Sequence, residues 1–473
     1  MIAAAMLTSA ASAQTTPPYG LKKAKALYTE WVKDEAKYQP KKKAYYDQKL
    51  AALSLREQFT YHMIGPEAFT QICSMIPMRE NARIRIYGTL NPYDFGIEGM
   101  YEGWSARQRD FFETHRDSVL AWLQPVIENQ GFVGLNAQHL IIDLKGKELI
   151  PTLLTIYDHH GDNDILTTCM MLMYEYPPFA NSAVNDQLQK SQPNAFSKYI
   201  PATPENIKAI RELATQYANS VEVKAGAYWI GKEGSQRNPL RKVTINAFYI
   251  AKYETTNEEF EKFVTATGYK TDAERHHDAM VFEPPLKEFR WIQDTTAYWR
   301  YPNGKTRGGI EKKMNHPVTC ISYRDIQAYC TWAHVRLPTL EEWEIACRAG
   351  TKTDFFFGDD ETKIGQYANV WHGHDHMKAD YSDGYMYTSP VGSFKPNPWG
   401  LYDMYGNVFE FCSGQVSPTE SKSVAHARGG SWWCSANACD SYNSYAIGQV
   451  NIHASFSNQG FRVVISSPAP PGK

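Results

Sequence analysis

The stretch from Arg428 to Val463 of this 473-residue chain reads RGGSWWCSANACDSYNSYAIGQVNIHASFSNQGFRV. Two cysteines, Cys434 and Cys439, follow a Gly-Gly-Ser sequence and stand five positions apart. The stretch closes on Asn-Gln-Gly-Phe-Arg near the end of the chain. A cysteine pair at this short spacing indicates either a disulfide or a metal-thiolate site.

Composition limits the kind of protein that the chain can form. Its 473 residues predict two or three domains, and 43% hydrophobic residues are enough for real cores. A net charge of -2 excludes a strong electrostatic attraction to nucleic acid or to an anionic membrane. Eight cysteines are too few for a disulfide scaffold. Aromatic residues make up 13% of the chain, which suits an irregular, loop-rich domain.

The N-terminus, MIAAAMLTSAASA, has a short apolar run that ends in Ala11-Ser12-Ala13. This small-x-small pattern predicts a secretory signal peptide over residues 1–13, and a disordered Ala-rich tail is the alternative. No later run approaches the ~20 apolar residues of a membrane span. We therefore expect an exported protein, periplasmic or secreted, without a transmembrane segment.

Residues 14–220 predict a mostly helical domain of unknown role. From Ser105 one helix is expected, because Phe112, Val119, Leu123 and Val126 fall on one apolar stripe. Further stripes follow, and the helices could pair as a short solenoid, although the sequence has no fixed repeat period.

The run Lys41-Lys42-Lys43 could be a nucleic-acid patch or a solvated helix face. Asp34, Glu35 and Asp47 interrupt the positive charge, which favours the solvated face. We expect no nucleic-acid partner.

From residue 221 the sequence changes to short strands, turns and few helices. Three helices are predicted by a capping residue followed three positions later by an acidic residue, at Thr256 with Glu259, Ser322 with Asp325, and Thr339 with Glu342. Gly268 and Gly350 are expected to end the first and third of these helices. The Pro-rich residues 466–473 predict a disordered tail.

Residues 221–465 resemble the formylglycine-generating enzyme (sulfatase-modifying factor) family. The motifs that carry the resemblance occur in family order: GAYWIG at 226–231, ETTN at 254–257, RLPTLEEWE at 336–344, YANV at 367–370, GLYDMYGNVFE at 400–410, and the terminal stretch quoted above. The resemblance implies an α+β domain with a variant C-type-lectin-like fold and little regular secondary structure, preceded here by the helical domain.

The cysteine pair matches the C-x4-C of the catalytic members of this family. The resemblance implies that Cys434 and Cys439 bind Cu(I), that a substrate cysteine adds a third sulfur, and that Ser431 is a nearby hydrogen-bond donor. Two soft thiolates suit a soft cation such as Cu(I), so the residues agree with that function. A structural disulfide between the two cysteines remains the alternative.

Two groups of oxygen donors correspond to the Ca²⁺ sites of the family. The first comprises Asn369, Val370, Asp383 and Tyr385, with backbone carbonyls from Val370 and Tyr385. The second comprises Asp403, Gly406, Val408 and Glu410, with carbonyls from Gly406 and Val408. Carboxylate, amide and carbonyl oxygens are the ligands that a hard cation prefers, and such ions would stabilise a loop-rich domain.

Alternating histidines at His372, His374 and His376 could bind a transition metal. The matching segment is variable in the family, so we predict a surface loop.

The chain departs from the family after Cys439. The catalytic enzymes usually continue Tyr-Arg-Tyr-Arg-Cys, whereas this chain has Asp440 to Ser444 in their place. That last cysteine often pairs with the counterpart of Cys330, so we predict Cys330, Cys347 and Cys412 to be buried free thiols. The missing arginines leave substrate specificity open, although YWRYPNG at 298–304 resembles the substrate-groove loop of the family.

The resemblance implies a copper-dependent oxidase that converts the cysteine of an unfolded, sulfatase-type Cys-x-Pro-x-Arg peptide into formylglycine, with O2 and a thiol reductant. One alternative is a non-catalytic envelope scaffold of the gliding-motility and secretion lipoprotein type. The other is a related periplasmic oxidase with a different substrate. Oligomeric state is not indicated by the sequence.

Overall fold

The computed structural model of the chain describes residues 14–34, 40–64, 84–88, 104–191, 198–282, 291–372, 382–414, 421, 423–435, 439 and 442–465. The predicted signal peptide over residues 1–13 and the predicted tail over 466–473 lie outside the described residues. Contacts divide the chain into two compact units, Met1–Ala218 and Asn219–Lys473. Among the described helices, none combines the length and the apolar character that crossing a bilayer requires.

The described part of the first unit is built mainly from helices. They are α1 (Leu21–Lys33), α2 (Pro40–Ala51), α3 (Leu55–Ile64), α4 (Ala106–Thr114), α5 (Arg116–Gln130), α6 (Leu135–Asp143), α7 (Ile150–His160), α8 (Asn163–Leu172), α9 (Pro177–Ala180), α10 (Ala183–Lys190) and α11 (Pro204–Ala218). Strands β1 (Arg85–Tyr87) and β2 (Tyr199–Pro201) pair antiparallel.

The single helix predicted from Ser105 is in fact two. Ser105 begins α4 with a capping box to Gln108, and the chain leaves the helical conformation at His115 (φ −111°, ψ 25°) before α5 begins. The predicted stripe is nevertheless buried on both helices, with Phe112 and Val119 almost fully enclosed. The apolar period was correct, and the break was not visible in it.

The second unit mixes short strands with short helices, so its fold is α+β. Its strands are β3 (Ser220–Val223), β4 (Gly226–Ile230), β5 (Arg241–Ile245), β6 (Phe248–Ala251), β7 (Met280–Phe282), β8 (Trp291–Gln293), β9 (Phe409–Cys412), β10 (Val424–Arg428), β11 (Gly448–Asn451), β12 (Gln459–Gly460) and β13 (Val464–Ile465). Its helices are α12 (Asn257–Thr267), α13 (Asp272–His276), α14 (Tyr323–Ala333) and α15 (Leu340–Arg348).

Four small sheets lie in the described part of this unit. The strand order is β11-β10-β9-β12 in the largest sheet and β13-β6-β3 in the next, and β4-β5 and β7-β8 form hairpins. Only the pairing of β12 with β9 is parallel among these ladders. The C-terminal strands therefore return to pair with strands from the start and the middle of the unit.

The three predicted capping boxes are confirmed. Thr256, Ser322 and Thr339 each accept a hydrogen bond from the third residue of their helix, and the acidic residue there bonds back to the cap. Gly268 ends α12 in the left-handed conformation, as predicted. Helix α15 ends one residue earlier than predicted, because Ala349 takes the left-handed position (φ 47°) and Gly350 follows it.

Buried ion pairs connect the strands and helices around the cores of the second unit. Arg462 forms a bidentate pair with Glu410 at 2.6 and 2.7 Å, and Trp343 Nε1 donates to the same carboxylate at 2.6 Å. Arg428 lies 3.1 Å from Glu344, and both are buried. A buried charge is tolerated only when it is paired and hydrogen-bonded, and these carboxylates meet that requirement.

Candidate active site

The predicted site begins where β10 ends. Gly429 and Gly430 both have positive φ (87° and 72°), and a Cβ on Gly430 would lie 2.7 Å from Cβ of Tyr442. No other residue fits this turn without displacing its neighbours. The turn delivers Ser431 and the chain that follows it into the interior, where Cys434 is fully buried.

The structure brings the two predicted thiols together. Cys434 makes a side-chain hydrogen bond with Cys439, and neither is in a disulfide. Cys439 is only half-buried, and its backbone is left-handed (φ 61°). One sulfur is therefore enclosed while its partner stands at the edge of the interior.

The hydroxyl of Ser431 contacts the enclosed sulfur. Ser431 Oγ lies 3.8 Å from Cys434 Sγ, and it accepts hydrogen bonds from Asn458 Nδ2 at 3.0 Å and from the Trp433 backbone N–H at 3.3 Å. Asn458 belongs to the Asn-Gln-Gly-Phe-Arg motif, but sequence reasoning assigned it no role. Its position within the terminal motif was the available signal.

Burial raises the pKa of the Cys434 thiol well above its usual value, and the contact with Cys439 raises it further. The hydrogen bonds to Ser431 act in the opposite direction but are weaker. No cation is among the groups that shift it. Without a bound cation the Cys434 side chain is therefore a neutral thiol at neutral pH.

An aromatic wall stands beside the thiols. It consists of Phe282, Trp291, Trp371, Tyr387, Trp432 and Trp433. The Trp371 backbone N–H donates to the Cys434 carbonyl at 2.9 Å, and Trp433 is the residue before Cys434. The rings of Trp291 and Trp433 are 5.7 Å apart, and both are only half-buried. Phe282, Trp371 and Trp432 are buried, so the partly buried Trp291, Tyr387 and Trp433 form the outer part of this apolar wall.

The segment that resembles a substrate-groove loop, at 298–304, is largely structural. Trp299 is buried and packs edge-on against Phe260 with 5.4 Å between ring centroids. Arg300 forms an ion pair with Glu261 at 2.5 Å. These two side chains are occupied within the domain, since Trp299 belongs to a hydrophobic core and Arg300 is paired.

The residues of the first predicted Ca²⁺ group lie beside those of the second. The Asn407 backbone N–H donates to the Asn369 carbonyl at 2.8 Å, and Asn369 Nδ2 donates to the Tyr387 carbonyl at 2.8 Å. Asp383 Oδ1 accepts from the Tyr385 backbone N–H at 2.9 Å, and its other oxygen is buried without a hydrogen bond. That oxygen lies 3.4 Å from His372 Nε2, and a buried carboxylate oxygen that accepts no hydrogen bond fits a cation ligand.

His372 is less exposed than the predicted surface loop implies. The predicted surface loop places it in solvent, yet its side chain is only 20% exposed and Nε2 lies 3.4 Å from Asp383 Oδ2. The ring lies close to Gly365, where an added Cβ would be 2.9 Å from His372 Cε1. His374 and His376 lie outside the described residues.

The second predicted group contains an excess of buried negative charge. Asp403 and Glu410 are joined by Glu254, which sequence reasoning did not assign, and all three are fully buried around Arg462. Asp403 Oδ2 accepts from the Gly392 backbone N–H at 2.6 Å, and its Oδ1 has no partner. Three carboxylates facing one guanidinium fit a divalent cation that would complete the balance of charge.

Burial is the main cause of the shifts in this group. It raises the pKa of Glu254 well above its usual range, and Asp403 and Glu410 add to the effect. It also raises the pKa of Asp403 to about 6. Among the described residues, no three His, Cys, Asp or Glu side chains are close enough to hold a metal by themselves, so backbone carbonyls such as those of Gly406 and Val408 would have to contribute.

Cys330, Cys347 and Cys412 are buried free thiols, as predicted. The family's last cysteine was expected to lie opposite Cys330, but the structure places that position beside a different thiol. Ser444, which stands where the catalytic enzymes have their last cysteine, lies 3.9 Å from Cys347 Sγ. The tertiary neighbour of that position is therefore Cys347, in helix α15, and not Cys330.

Comparison with known proteins places these features in a family. The family model described as "Sulfatase-modifying factor enzyme 1-like domain" matches residues 207–467. The formylglycine-generating enzyme of Mus musculus is 37% identical over 275 residues, which are 51% of this chain and 73% of that protein. The formylglycine-generating enzyme of Thermomonospora curvata is 33% identical over 282 residues, 51% of this chain and 91% of that protein.

A third relative is named as an inactive enzyme. The "Inactive C-alpha-formylglycine-generating enzyme 2" of Bos taurus is 32% identical over 279 residues, which are 54% of this chain and 91% of that protein. Similarity alone therefore does not separate catalytic from inactive members. Because the family model covers more than half of the 473 residues, the chain belongs to the sulfatase-modifying factor enzyme 1-like family, whose named members include formylglycine-generating enzymes.

Proposed function

We propose that this protein is a copper-dependent oxidase that converts a peptidyl cysteine into formylglycine. The observation that carries the proposal is the contact between the free thiols of Cys434 and Cys439 in the terminal motif. A disulfide would leave no ligand for a soft metal, whereas two reduced sulfurs in contact can both turn toward one ion.

The donor set suits Cu(I). Two thiolates form a low-coordinate site, and the half-buried Cys439 leaves an approach for a third sulfur from a substrate. When bound, copper would supply the activation of O2 that no side chain can provide. The chain itself supplies the two sulfurs, the Ser431 hydroxyl beside Cys434, and the apolar wall that limits access of water.

The reaction balances with one O2 and two molecules of a thiol reductant. The substrate CH2–SH becomes CHO, its sulfur leaves as hydrogen sulfide, and O2 provides the aldehyde oxygen and one water. The two reductant thiols supply the remaining two electrons and two protons and become a disulfide. Loss of hydrogen from an unactivated carbon requires this external oxidant.

The proposed substrate is an unfolded, sulfatase-type Cys-x-Pro-x-Arg peptide bound in extended form. A cysteine held within a folded protein could not reach Cys434, which is buried behind the aromatic wall. The rings of Trp291 and Trp433 offer a surface for proline and aliphatic side chains. We also propose that the second unit, Asn219–Lys473, has a variant C-type-lectin-like fold.

We propose Ca²⁺ as a structural cofactor at both oxygen-donor groups. At the second group, the Asp403 oxygen without a hydrogen-bond partner supports it, as does the surplus of carboxylates around Arg462. At the first group, the buried Asp383 oxygen that faces His372 without a hydrogen bond supports it. We also propose that the protein is exported, periplasmic or secreted, on the basis of the sequence pattern at residues 1–13.

Copper titration tests the metal site. Anaerobic addition of Cu(I) to the reduced protein should produce one equivalent of thiolate-to-copper charge-transfer absorption, which should disappear in Cys434→Ser and in Cys439→Ser. Cys330→Ser serves as the matched control, because it removes a buried thiol outside the pair. Unchanged absorption in Cys434→Ser would exclude the pair as the ligand.

Peptide conversion tests the reaction. A Cys-x-Pro-x-Arg peptide incubated with copper-loaded protein, O2 and dithiothreitol should lose about 18 Da, the change from CH2–SH to CHO. A peptide with serine in place of the cysteine is the control. Copper binding without this loss would favour a related oxidase with a different substrate.

One observation favours a non-catalytic role. Asn443 and Ser444 replace the basic and cysteine residues of the catalytic members, and Asn443 Oδ1 accepts the backbone N–H groups of Tyr445 and Ala446 in a turn. A scaffold protein of the envelope type would retain the fold and lose both copper absorption and peptide conversion. Failure of both experiments would therefore support that function.

A further inference from the structure

The second unit contains a cavity of about 430 Å³ that shares no residue with the thiol site. It lies beside the turn from β4 to β5 and the loop after α15. Its lining residues are Trp229, Gly231, Lys232, Glu233, Leu240, Arg348, Lys352 and Asp354. A volume of this order is typical of sites for small organic molecules.

One wall of the cavity is apolar and exposed. Trp229 is 51% exposed and Leu240 is 49% exposed. Strand alternation directs Ile230 into the core and leaves Trp229, paired with Lys242, on the outer face of the hairpin. The indole is therefore not used by the core of the protein.

The floor of the cavity is rigid and cationic. Arg348 is only 5% exposed. Its guanidinium donates to Glu344 Oε1 at 2.9 Å, to the Thr353 carbonyl at 3.0 Å and to the Gly231 carbonyl at 3.0 Å. A guanidinium has five N–H donors, so two remain beyond these three bonds.

The charge behind the floor is also positive. Glu344 is shared between Arg348 and Arg428, so one carboxylate serves two guanidinium groups. Gly231 contributes no side chain to the floor, because a Cβ there would lie 2.2 Å from the Pro239 carbonyl oxygen. Among the charged side chains that line the cavity, Lys232, Arg348 and Lys352 exceed Glu233 and Asp354 by one positive charge.

The rim adds a second cation. Lys352 is exposed and makes no ion pair with any residue that the structure describes. Lys232 is already paired, at 2.5 Å from Asp354 Oδ2 and 4.6 Å from the centre of the Tyr445 ring. Lys352 and Arg348 are therefore the groups available to an anion at this cavity.

We propose that this cavity binds a small aromatic carboxylate. The ring would stack on Trp229 beside Leu240, and the carboxylate would lie toward Arg348 and Lys352. Charge complementarity selects an anion, and the apolar wall selects a flat, apolar body. The proposal is independent of the copper site, since neither Cys434 nor Cys439 lines the cavity.

The probe for this site is 2-naphthoate, measured by isothermal titration calorimetry on the full chain. We expect saturable binding at one site per molecule. Trp229→Ala should weaken it at least about tenfold, because stacking is lost, and Lys352→Gln should weaken it by a smaller factor. Trp332→Ala is the matched control, since Trp332 is 38% exposed on α14 outside the cavity and its loss should change Kd less than about twofold.

A neutral analogue separates the two parts of the proposal. 2-Naphthalenemethanol has the same ring system without the charge and should bind about tenfold more weakly than 2-naphthoate. Equal binding of the two probes, no saturation by millimolar concentrations, or equal loss in Trp332→Ala and Trp229→Ala would each overturn the proposal. Both tryptophans are exposed, and thermal unfolding of each variant verifies that the fold is kept.

Discussion

Ser431 is held so that its hydroxyl oxygen lies within hydrogen-bonding distance of a sulfur. Its oxygen accepts hydrogen bonds from Asn458 and from the Trp433 backbone, which leaves the O–H free to donate to Cys434 at 3.8 Å. Such a bond is weak toward a neutral thiol and becomes stronger toward a thiolate. Asn458 is therefore a positioning residue that acts through Ser431.

Replacing Asn458 tests this arrangement. In Asn458→Ala the Ser431 hydroxyl can rotate away from Cys434, so we expect peptide oxidation to fall about 10- to 100-fold in kcat with little change in KM. The copper charge-transfer band should remain and shift in wavelength, because the sulfur loses a hydrogen bond. Asn315→Ala, at an exposed position, is the control. An Asn458→Ala variant with unaltered kcat and band position would remove the assigned role.

Cys347 and Ser444 offer a second test at the level of single residues. Their side chains are 3.9 Å apart although 97 positions separate them in the chain. Ser444→Cys should form a disulfide with Cys347 under oxidising conditions. Closing a loop of this length stabilises a fold by about 4.7 kcal/mol in the chain-entropy model, and native-state strain reduces that value. We expect a higher Tm that falls on reduction.

Peptide mapping without reductant identifies the bond. Ser444→Cys in a Cys347→Ala background is the control and should show neither the disulfide nor the gain in Tm. A disulfide to Cys330 in place of Cys347 would contradict the observed arrangement and restore the pairing expected from the sequence.

Helix α15 begins at a cap formed by residues close in sequence, and it carries side chains that bond residues far away in the chain. Thr339 begins it with a capping box, and Glu342 of that box also binds Arg336 at 2.6 Å through both carboxylate oxygens. The same helix carries Trp343, which bonds Glu410, and Glu344, which binds two arginines. Loss of the cap should therefore reduce the stability of the whole second unit.

We expect Thr339→Ala to lower the free energy of unfolding by about 1 kcal/mol, because an N-terminal amide of the helix loses its acceptor. Thr339→Ser keeps the oxygen and is the matched control, with a change near zero. Chemical denaturation followed by circular dichroism measures both. Equal loss in the two variants would mean that the methyl group, and not the cap, is what matters at this position.

The sequence predicts elements well where the signal is local. A cap and its acidic partner are three residues apart, so three boxes could be identified, and Thr271 with Glu274 carried the same signal without being predicted. The thiol pair and the order of the motifs also could be read directly. The break at His115 could not, because the apolar stripe continues through it.

Long-range pairs required the structure. Glu254 accepts from Asn407 Nδ2, 153 positions away, at 2.6 Å, and Arg462 reaches Glu410 across 52 positions. Nothing in either segment specifies its partner, since carboxylates and amides pair with many residue types. The wall of aromatic rings beside Cys434 is likewise assembled from segments between residues 282 and 433.

At the scale of the whole molecule, the buried charge around Arg462 limits the stability of the metal-free protein. Full ionisation of Glu254, Asp403 and Glu410 would place three negative charges against one positive charge, and burial opposes it by raising the pKa of Glu254 well above its usual range. The pKa of Asp403 is raised to about 6 from 3.8, chiefly by burial, so its ionised form destabilises the fold above that pH. A rise of this size corresponds to about 3 kcal/mol, which is a large part of the stability of a typical domain.

The sign of the pH dependence follows from this shift. Because the folded pKa of Asp403 lies above the unfolded one, the destabilisation is fully present above about pH 6 and disappears as the pH falls toward 4. In EDTA, Asp403→Asn should therefore be more stable than the parent protein by up to about 3 kcal/mol at pH 7.5, and the difference should vanish near pH 4.

Calcium should reverse that order, because a bound divalent cation favours the ionised carboxylate, whereas the amide provides a weaker ligand. With millimolar Ca²⁺ at pH 7.5, the parent protein should gain more stability than Asp403→Asn, as measured by urea denaturation with and without the ion. Glu311→Gln, at an exposed position, should behave as the parent protein does. If neither calcium nor Asp403→Asn changes the free energy of unfolding, Arg462 alone balances the charge of this cluster. The proposed second calcium site would then have no physical basis.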